Sequence, residues 1–508
     1  MKILDSAIRR RITTTMAFTG LCLIGAISAS RLPVELLPDI ELPRLTVITP
    51  FENAAPSEIE KLVTSRIEEA VTGVSGVTSV SSESIEGLSI VKITFQWGTD
   101  MDMALIEAKE KADLVKCELP EDTGQSIVVK YDPSDDPVMI YSVSLRSGEN
   151  SSVRRRVEKE IVPFVERING VSLVDILGGD KREIHIDIDN ARLFAHNLSL
   201  SDVARRIDLS NYNYPAGSLV KGDMEYQVRT VGEFRNLDDI RNVAAGYNES
   251  GIPVYLRDIA LIEDTFKERK SIVRFNGVES VALLVRKEPG KNTIDTCGNV
   301  RSVIEEIHSK NKDDFNMRCV YDQSQFIQNS IDNVTLDAIL GGIISFIILF
   351  LFMKRIGPPV IICATIPVSV LGTFILMDVF GISVNTMSLG GLAIGIGMIV
   401  DAGTVVLESI YMQHQAGSAV SRMEAAVKGA TDVAVPVIVS VLSSVVVFMP
   451  IVFLSGLAGA LFRDLALTVS FSLFISLIAA VTLIPMLSTV DVKIPAFMKL
   501  PGNLRKKF

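Results

Sequence analysis

Residues 388–408 read SLGGLAIGIGMIVDAGTVVLE. The run is long and apolar enough to cross a bilayer, which takes about 20 such residues, yet it carries Asp401 in its interior and Glu408 at its end. An ionised carboxylate near the bilayer centre costs roughly 2.5–3.5 kcal/mol on insertion scales, so one is rare there without a role. At helical spacing Gly397, Asp401, Thr404 and Glu408 share one face, while Gly391 and Gly395 offer the small-residue surface on which membrane helices approach closely. The acidic face is expected to point into a bundle, away from lipid. Desolvation favours the neutral form of a carboxylate and a nearby cation the charged form, so Asp401 is a candidate carrier that loads a proton from one side and releases it to the other. The bland alternatives are a permanently protonated Asp401 bonded to a neighbouring helix, and an interfacial Glu408.

Five further apolar windows, near 12–30, 335–353, 358–378, 434–454 and 465–487, join the one near 386–408 to give six candidate spans. Basic residues set their orientation. Arg9, Arg10 and Arg11 precede the first, Lys354 and Arg355 follow the second, Arg422 and Lys428 lie between the fourth and fifth, and Lys499, Arg505, Lys506 and Lys507 close the sequence. Alternating spans put all of these on one side, so both termini are read as cytoplasmic and residues 31–334 as outward-facing. Asp337 and Asp378 then sit at outward helix ends, where an interfacial role is expected. An Arg-rich start followed by an apolar run and Ala26, Ser28, Ala29 and Ser30 also fits a cleaved signal peptide, and charge placement does not separate the two readings.

The outward stretch is folded. Leu45-Thr46-Val47-Ile48 and Ile90-Val91-Lys92-Ile93-Thr94-Phe95 alternate as strands around an amphipathic helix over 57–72, which starts at Pro56, Ser57 and Glu58 and ends at Gly73. A second copy runs from Val138-Met139-Ile140-Tyr141 through a helix near 153–168 and closes on Ile184-His185-Ile186-Asp187-Ile188. Gly76-Val77-Thr78-Ser79-Val80 is echoed by Gly170-Val171-Ser172-Leu173-Val174, so two α/β sandwiches of one plan are expected. Short β segments over 191–266 read as an insertion into the second.

Composition excludes some functions. A formal net charge of −10, with no clustered basic surface, argues against a nucleic-acid partner. The five cysteines lack metal-ligand spacing, and a Cys297 to Cys319 bridge is the one disulfide worth considering. No enzyme motif, metal site or cofactor site is read. Met101, Met103, Met139, Met224 and Met317 lie in the outward region, where thioethers suit soft metal ions but scattered methionines more often pack cores.

Leu32-Pro33-Val34-Glu35-Leu36-Leu37-Pro38-Asp39, Gly98-Thr99-Asp100, residues 367–372, Val400-Asp401 with Glu408, and residues 462–470, in this order around six spans, resemble the resistance-nodulation-division exporters over nearly the whole chain. The resemblance implies an α+β membrane protein: six transmembrane helices and a large periplasmic region of two ferredoxin-like porter subdomains, with a docking subdomain inserted in the second. It also implies a retained first span. The corresponding division is cytoplasmic start and first helix 1–30, first porter subdomain 31–132, second porter subdomain 133–190 and 267–334, docking subdomain 191–266, helices two to six 335–490, and cytoplasmic tail 491–508. The family's proton relay would fall on Asp401, Glu408 and Thr404, with Gly391, Gly395 and Gly397 as packing positions.

Two departures stand out. Family members usually carry twelve spans in two homologous halves, with a relay lysine in the second, and no lysine lies within any of the six spans here. Ala402 stands where many drug-exporting members carry another Asp. The expectation is a half-length subunit of a proton-driven inner-membrane pump for amphiphiles or drugs, needing a second half-chain in a threefold assembly with a periplasmic adaptor and an outer-membrane channel. The alternatives are a metal-ion exporter, a six-span accessory to protein secretion, and an inactive truncated product.

Overall fold

A computed structural model describes residues 2–490 except 132, 146–151, 213, 223, 231, 248–250, 270, 311–313 and 417–420. The basic residues expected in the tail lie outside the described residues. The first long helix, α1 (Arg11–Arg31), is followed by an extended segment that climbs to the first α/β unit.

That unit runs β1 (Arg44–Pro50), a helical stretch in three consecutive pieces (Pro56–Ile59, a wide π turn Glu60–Thr64, and Ser65–Thr72), β2 (Val77–Ile85), β3 (Leu88–Phe95), α2 (Met101–Val115) and β4 (Ile127–Lys130). The strands form one antiparallel sheet in the order β2-β3-β1-β4. Period-two alternation turns Leu45, Val47, Val91, Ile93 and Phe95 to one side, where they meet Ile59, Val63, Ile67 and Val71 from the helix and Ala104, Ala108 and Ala112 from α2. Each large apolar side chain buried there contributes about 1.5–3 kcal/mol. The motif Gly98-Thr99-Asp100 has a local cause: Gly98 turns with φ +92°, and Asp100 Oδ1 caps α2 by accepting from the Asp102 and Met103 amides at 3.1 Å.

The second unit repeats this plan with β5 (Met139–Leu145), α3 (Val153–Glu160), β6 (Val171–Leu177), then, after a large insertion, β15 (Val281–Lys287), α4 (Thr293–Lys310) and β16 (Phe315–Asp322). Its sheet order, β16-β5-β15-β6, matches the first strand for strand. The echoed glycines have one physical reason in both units. Gly76 (φ +81°) and Gly170 (φ +97°) sit in the left-handed region, and a Cβ at either would press on a threonine at the start of the unit's second helix: Thr99 just before α2, or Thr296 in the first turn of α4.

The insertion has its own core of Leu193, Val203, Ile240, Val243, Ala245, Val254, Leu256, Ile259 and Ile262. It contains β7 (Arg182–Ile188), a hairpin of β8 (Tyr214–Lys221) and β9 (Met224–Thr230), then β10 (Ala244–Tyr247), β11 (Pro253–Tyr255) and β12 (Ala260–Phe266), and a short ladder of β13 (Arg274–Phe275) and β14 (Val278–Glu279) leads back to β15. Here the structure differs from the sequence reading. The strand through Ile184 and Ile188, expected to close the second sandwich, pairs along its whole length with β12, and Arg182 grips Asp264 with two hydrogen bonds of 2.6 Å. The bridge considered between Cys297 and Cys319 is absent: both are free thiols. Cys297 is buried in the core beneath the second sheet, which pushes its thiol up to about 12.

β16 runs directly into α5 (Gln323–Met353). Asp322 marks the joint. It caps the helix at the Ser324 amide and pairs with Arg301 of α4. With 31 residues α5 is about 46 Å long, more than a hydrocarbon core of about 30 Å, so its polar first turns belong to the outward region and only its apolar remainder matches the expected span. The third apolar stretch is two helices, α6 (Gly357–Cys363) and α7 (Thr365–Val379), and three long ones follow: α8 (Thr386–Ala416), α9 (Arg422–Val452) and α10 (Leu457–Ser488). Counting α6 and α7 as one, six helices among the described residues are long and apolar enough to cross a membrane.

Candidate proton-relay site

The bundle is assembled on small residues. A Cβ at Gly25 of α1 would strike the Leu371 carbonyl of α7, one at Gly372 would meet Ile475 of α10 at 2.6 Å, and one at Gly429 of α9 would meet the Ile410 backbone of α8 at 2.6 Å. Such close approach is how helices associate where lipid and side chains are equally apolar. The most intimate pair is α8 with α10. A Cβ at Gly391 would lie 2.6 Å from the Leu465 carbonyl, at Gly395 2.7 Å from Ser472 Cβ, and at Gly403 2.6 Å from Ile484. Hydroxyls line the same seam: Ser476 Oγ donates to the Ile399 carbonyl at 2.9 Å, and Thr373 of α7 donates to Ser472 at 3.2 Å.

The outer end of α8 is fixed as firmly. Asn385 Oδ1 accepts from the Met387 and Ser388 amides at 3.0 and 2.9 Å, and its Nδ2 donates to Asp464 of α10 at 2.8 Å. Asn385 and Ser388 are both fully buried. This cap is a buried polar network whose members satisfy one another.

Asp401 is the sixteenth of the 31 residues of α8, about 22 Å from its start and so at the middle of a helix long and apolar enough to cross a membrane. It does not lie on the glycine seam. A stripe formed by Ile394, Gly397, Asp401, Val405, Glu408 and Met412 runs along the other side of the helix, and every member is exposed. No hydrogen bond or ion pair joins Asp401 or Glu408 to the described residues. Thr404 is half-buried beside the stripe and spends its hydroxyl on the Val400 carbonyl at 2.8 Å. A third face, with Leu389, Leu392 and Ile396, lines an open apolar cleft of about 650 Å³ walled by α5 and α7.

The sequence-singled residues therefore divide. Asp401, Glu408 and Gly397 stand together on the uncovered stripe, with Thr404 at its edge. Gly391 and Gly395 are packing positions against α10, whereas a Cβ at Gly397 would meet nothing within 4 Å. Gly25, Gly403 and Gly429 serve close packing too and were not anticipated. Nor were Asn385 and Asp464, whose pairing joins residues far apart in sequence. Of the outward methionines, Met101, Met139 and Met317 are core residues of the two sandwiches, while Met103 and Met224 are exposed on separate elements.

The sequence profile of the AcrB/AcrD/AcrF family matches residues 3–496. The chain belongs to that family. Its members resembling this chain include the "Multidrug resistance protein MdtC" of Yersinia enterocolitica serotype O:8 / biotype 1B and that of Escherichia coli O7:K1, each 28% identical over 488 residues. The alignments cover 96% of this chain and 47% of either relative, so the chain spans about half the length of the relatives it matches. Membership makes this AcrB/AcrD/AcrF-family chain a multi-pass inner-membrane protein of a transporter family, with a sizeable extramembrane region.

Proposed function

We propose that this chain forms one half of a proton-driven exporter of amphiphilic drugs, and that α8 is its proton-carrying helix. The observation that carries the reading is the uncovered stripe with Asp401 at its middle. A carboxylate left against hydrocarbon is costly, whereas one facing a second set of helices gains partners. The stripe packs against a second six-helix half, whether another chain or a continuation of this one. That half brings a cation opposite Asp401. Proton entry is worth about 2.3 kcal/mol per charge for each 100 mV of membrane potential, plus any pH gradient.

Protonation and release at Asp401 shift α8 against its surroundings, and the two α/β units act as porter subdomains that pass cargo outward. The insertion, with a core of its own, is the docking piece toward a periplasmic adaptor and an outer-membrane channel, in a threefold assembly. The residues of the predicted relay are Asp401 and Glu408, with Thr404 at their edge. The cargo class rests on what the relatives' names say of them. The insertion and the drug-exporter relatives favour this reading over a secretion accessory. Export of a fluorescent drug from cells carrying the complete transporter tests it: Asp401→Asn is expected to abolish efflux at wild-type abundance, and undiminished efflux would overturn the assignment.

A further inference from the structure

Between α1 and the first sandwich, residues 32–38 run as an extended strap held on both sides. One side grips the turn that leads into α8. The Val384 amide donates to the Pro33 carbonyl at 2.9 Å, the Glu35 amide donates to the Val384 carbonyl at 3.0 Å, and Leu36 O accepts the Thr386 amide and hydroxyl at 3.2 and 2.8 Å. Val34 and Val384 form a parallel bridge. Thr386 is the first residue of α8, the helix that carries Asp401.

The other side holds the corner of the second sandwich between β15 and α4. The Thr293 amide, at the start of α4, donates to the Val34 carbonyl at 3.0 Å. Lys287 Nζ donates to Glu35 Oε1 at 2.8 Å and to the Lys291 carbonyl at 2.7 Å. Alternation along β15 buries Val281, Leu283, Val285 and, at its end, Lys287. The lysine occupies a position where the pattern calls for an apolar residue, and its side chain is 5% exposed. A buried ion pair is a poor way to add stability, since apolar residues of similar volume often do as well, and breaking one partner is costly because it leaves the other charge buried and unpaired.

We propose that Glu35 and Lys287 are positioning residues that couple α8 to the second sandwich: displacement of the helix on proton uptake moves Thr386, the strap follows, and the ion pair carries the movement into β15 and α4. This rests on the exporter reading above. The contact is a direct mechanical link between the proposed proton site and the proposed porter subdomain, and it needs no change in the Asp401 environment itself.

The test uses proteoliposomes of the complete transporter and reads drug export and drug-dependent proton uptake together, in wild type, in the double variant Glu35→Met/Lys287→Met, and in the charge swap Glu35→Lys/Lys287→Glu. The apolar pair is expected to keep proton uptake while export per proton falls about tenfold, within the range of ordinary coupling between sites, and the swap to recover part of it. Equal loss of both activities would mark a merely structural pair, and unchanged coupling would remove the link; either overturns the inference. Should wild type export nothing, the exporter reading fails, and amide exchange on the full chain in nanodiscs decides the strap. Faster exchange at Glu35, Val384, Thr386 and Thr293 in Lys287→Met then upholds the clamp, and unchanged exchange contradicts it.

Discussion

The two long faces of α8 present opposite chemistry to their surroundings. One is made of Gly391, Gly395 and Gly403 and is pressed against α10 until a methyl group would collide with it. The other, from Ile394 to Met412, carries two carboxyl side chains and touches nothing among the described residues that would satisfy them. The difference separates what builds the bundle from what the bundle presents. The glycine face finds its packing partner within this chain, whereas the acidic stripe has none among the described residues and is the surface proposed above to meet a second half.

Placing the same side chain on each face breaks or sharpens that contrast. Gly391→Leu drives a side chain into the Leu465 backbone, and overpacking of this kind costs about 1–3 kcal/mol or more, so a lower unfolding temperature of the purified chain is expected. A variant as stable as wild type would show that the α8–α10 seam is looser than described. Gly397→Leu meets open space and should change the stability of the chain by no more than about 0.5 kcal/mol, the usual range for surface substitutions. Export by the complete transporter should nevertheless fall if the stripe packs as proposed, because the added bulk lies on the face assigned to the second half.

The smallest effect is expected outside the membrane. Arg182 hydrogen-bonds Asp264 and holds its carboxyl below the ordinary 3.8. A carboxylate depressed in the folded state stabilises above its unfolded pKa, and that contribution is lost as pH falls through the folded one. Pairing of β7 with β12 should therefore loosen slightly on acidification below the ordinary value, measured by amide exchange over Arg182–Ile188. Arg182→Met should remove the pH dependence. Both groups are well exposed, so solvent screening keeps the change small.

Much of this was legible in the sequence for identifiable reasons. Apolar runs announce membrane helices whatever packs beside them, and a lone acid inside one is conspicuous, so the spans and Asp401 could be read directly. The repeat could be read because Gly76 and Gly170 answer the same steric demand. What could not be read is which face is covered. An almost wholly apolar helix carries little amphipathic signal, and glycines occur on both sides of α8. Strand partners were hidden as well: nothing local in Ile184-His185-Ile186-Asp187-Ile188 says that it pairs with β12 rather than with the sandwich it follows. Glu35 and Lys287 lie 252 positions apart, and the irregular strap between α1 and β1 has no periodicity to reveal its role.

The central claim is that protein, and not lipid, covers the stripe. A photoreactive amino acid placed at Val405, and for comparison at Val439 on the exposed side of α9, tests it in native membranes. The account predicts that Val405 cross-links to a membrane segment outside residues 1–508 that bears a lysine, while Val439 captures lipid. Capture of lipid alone at both positions would contradict it.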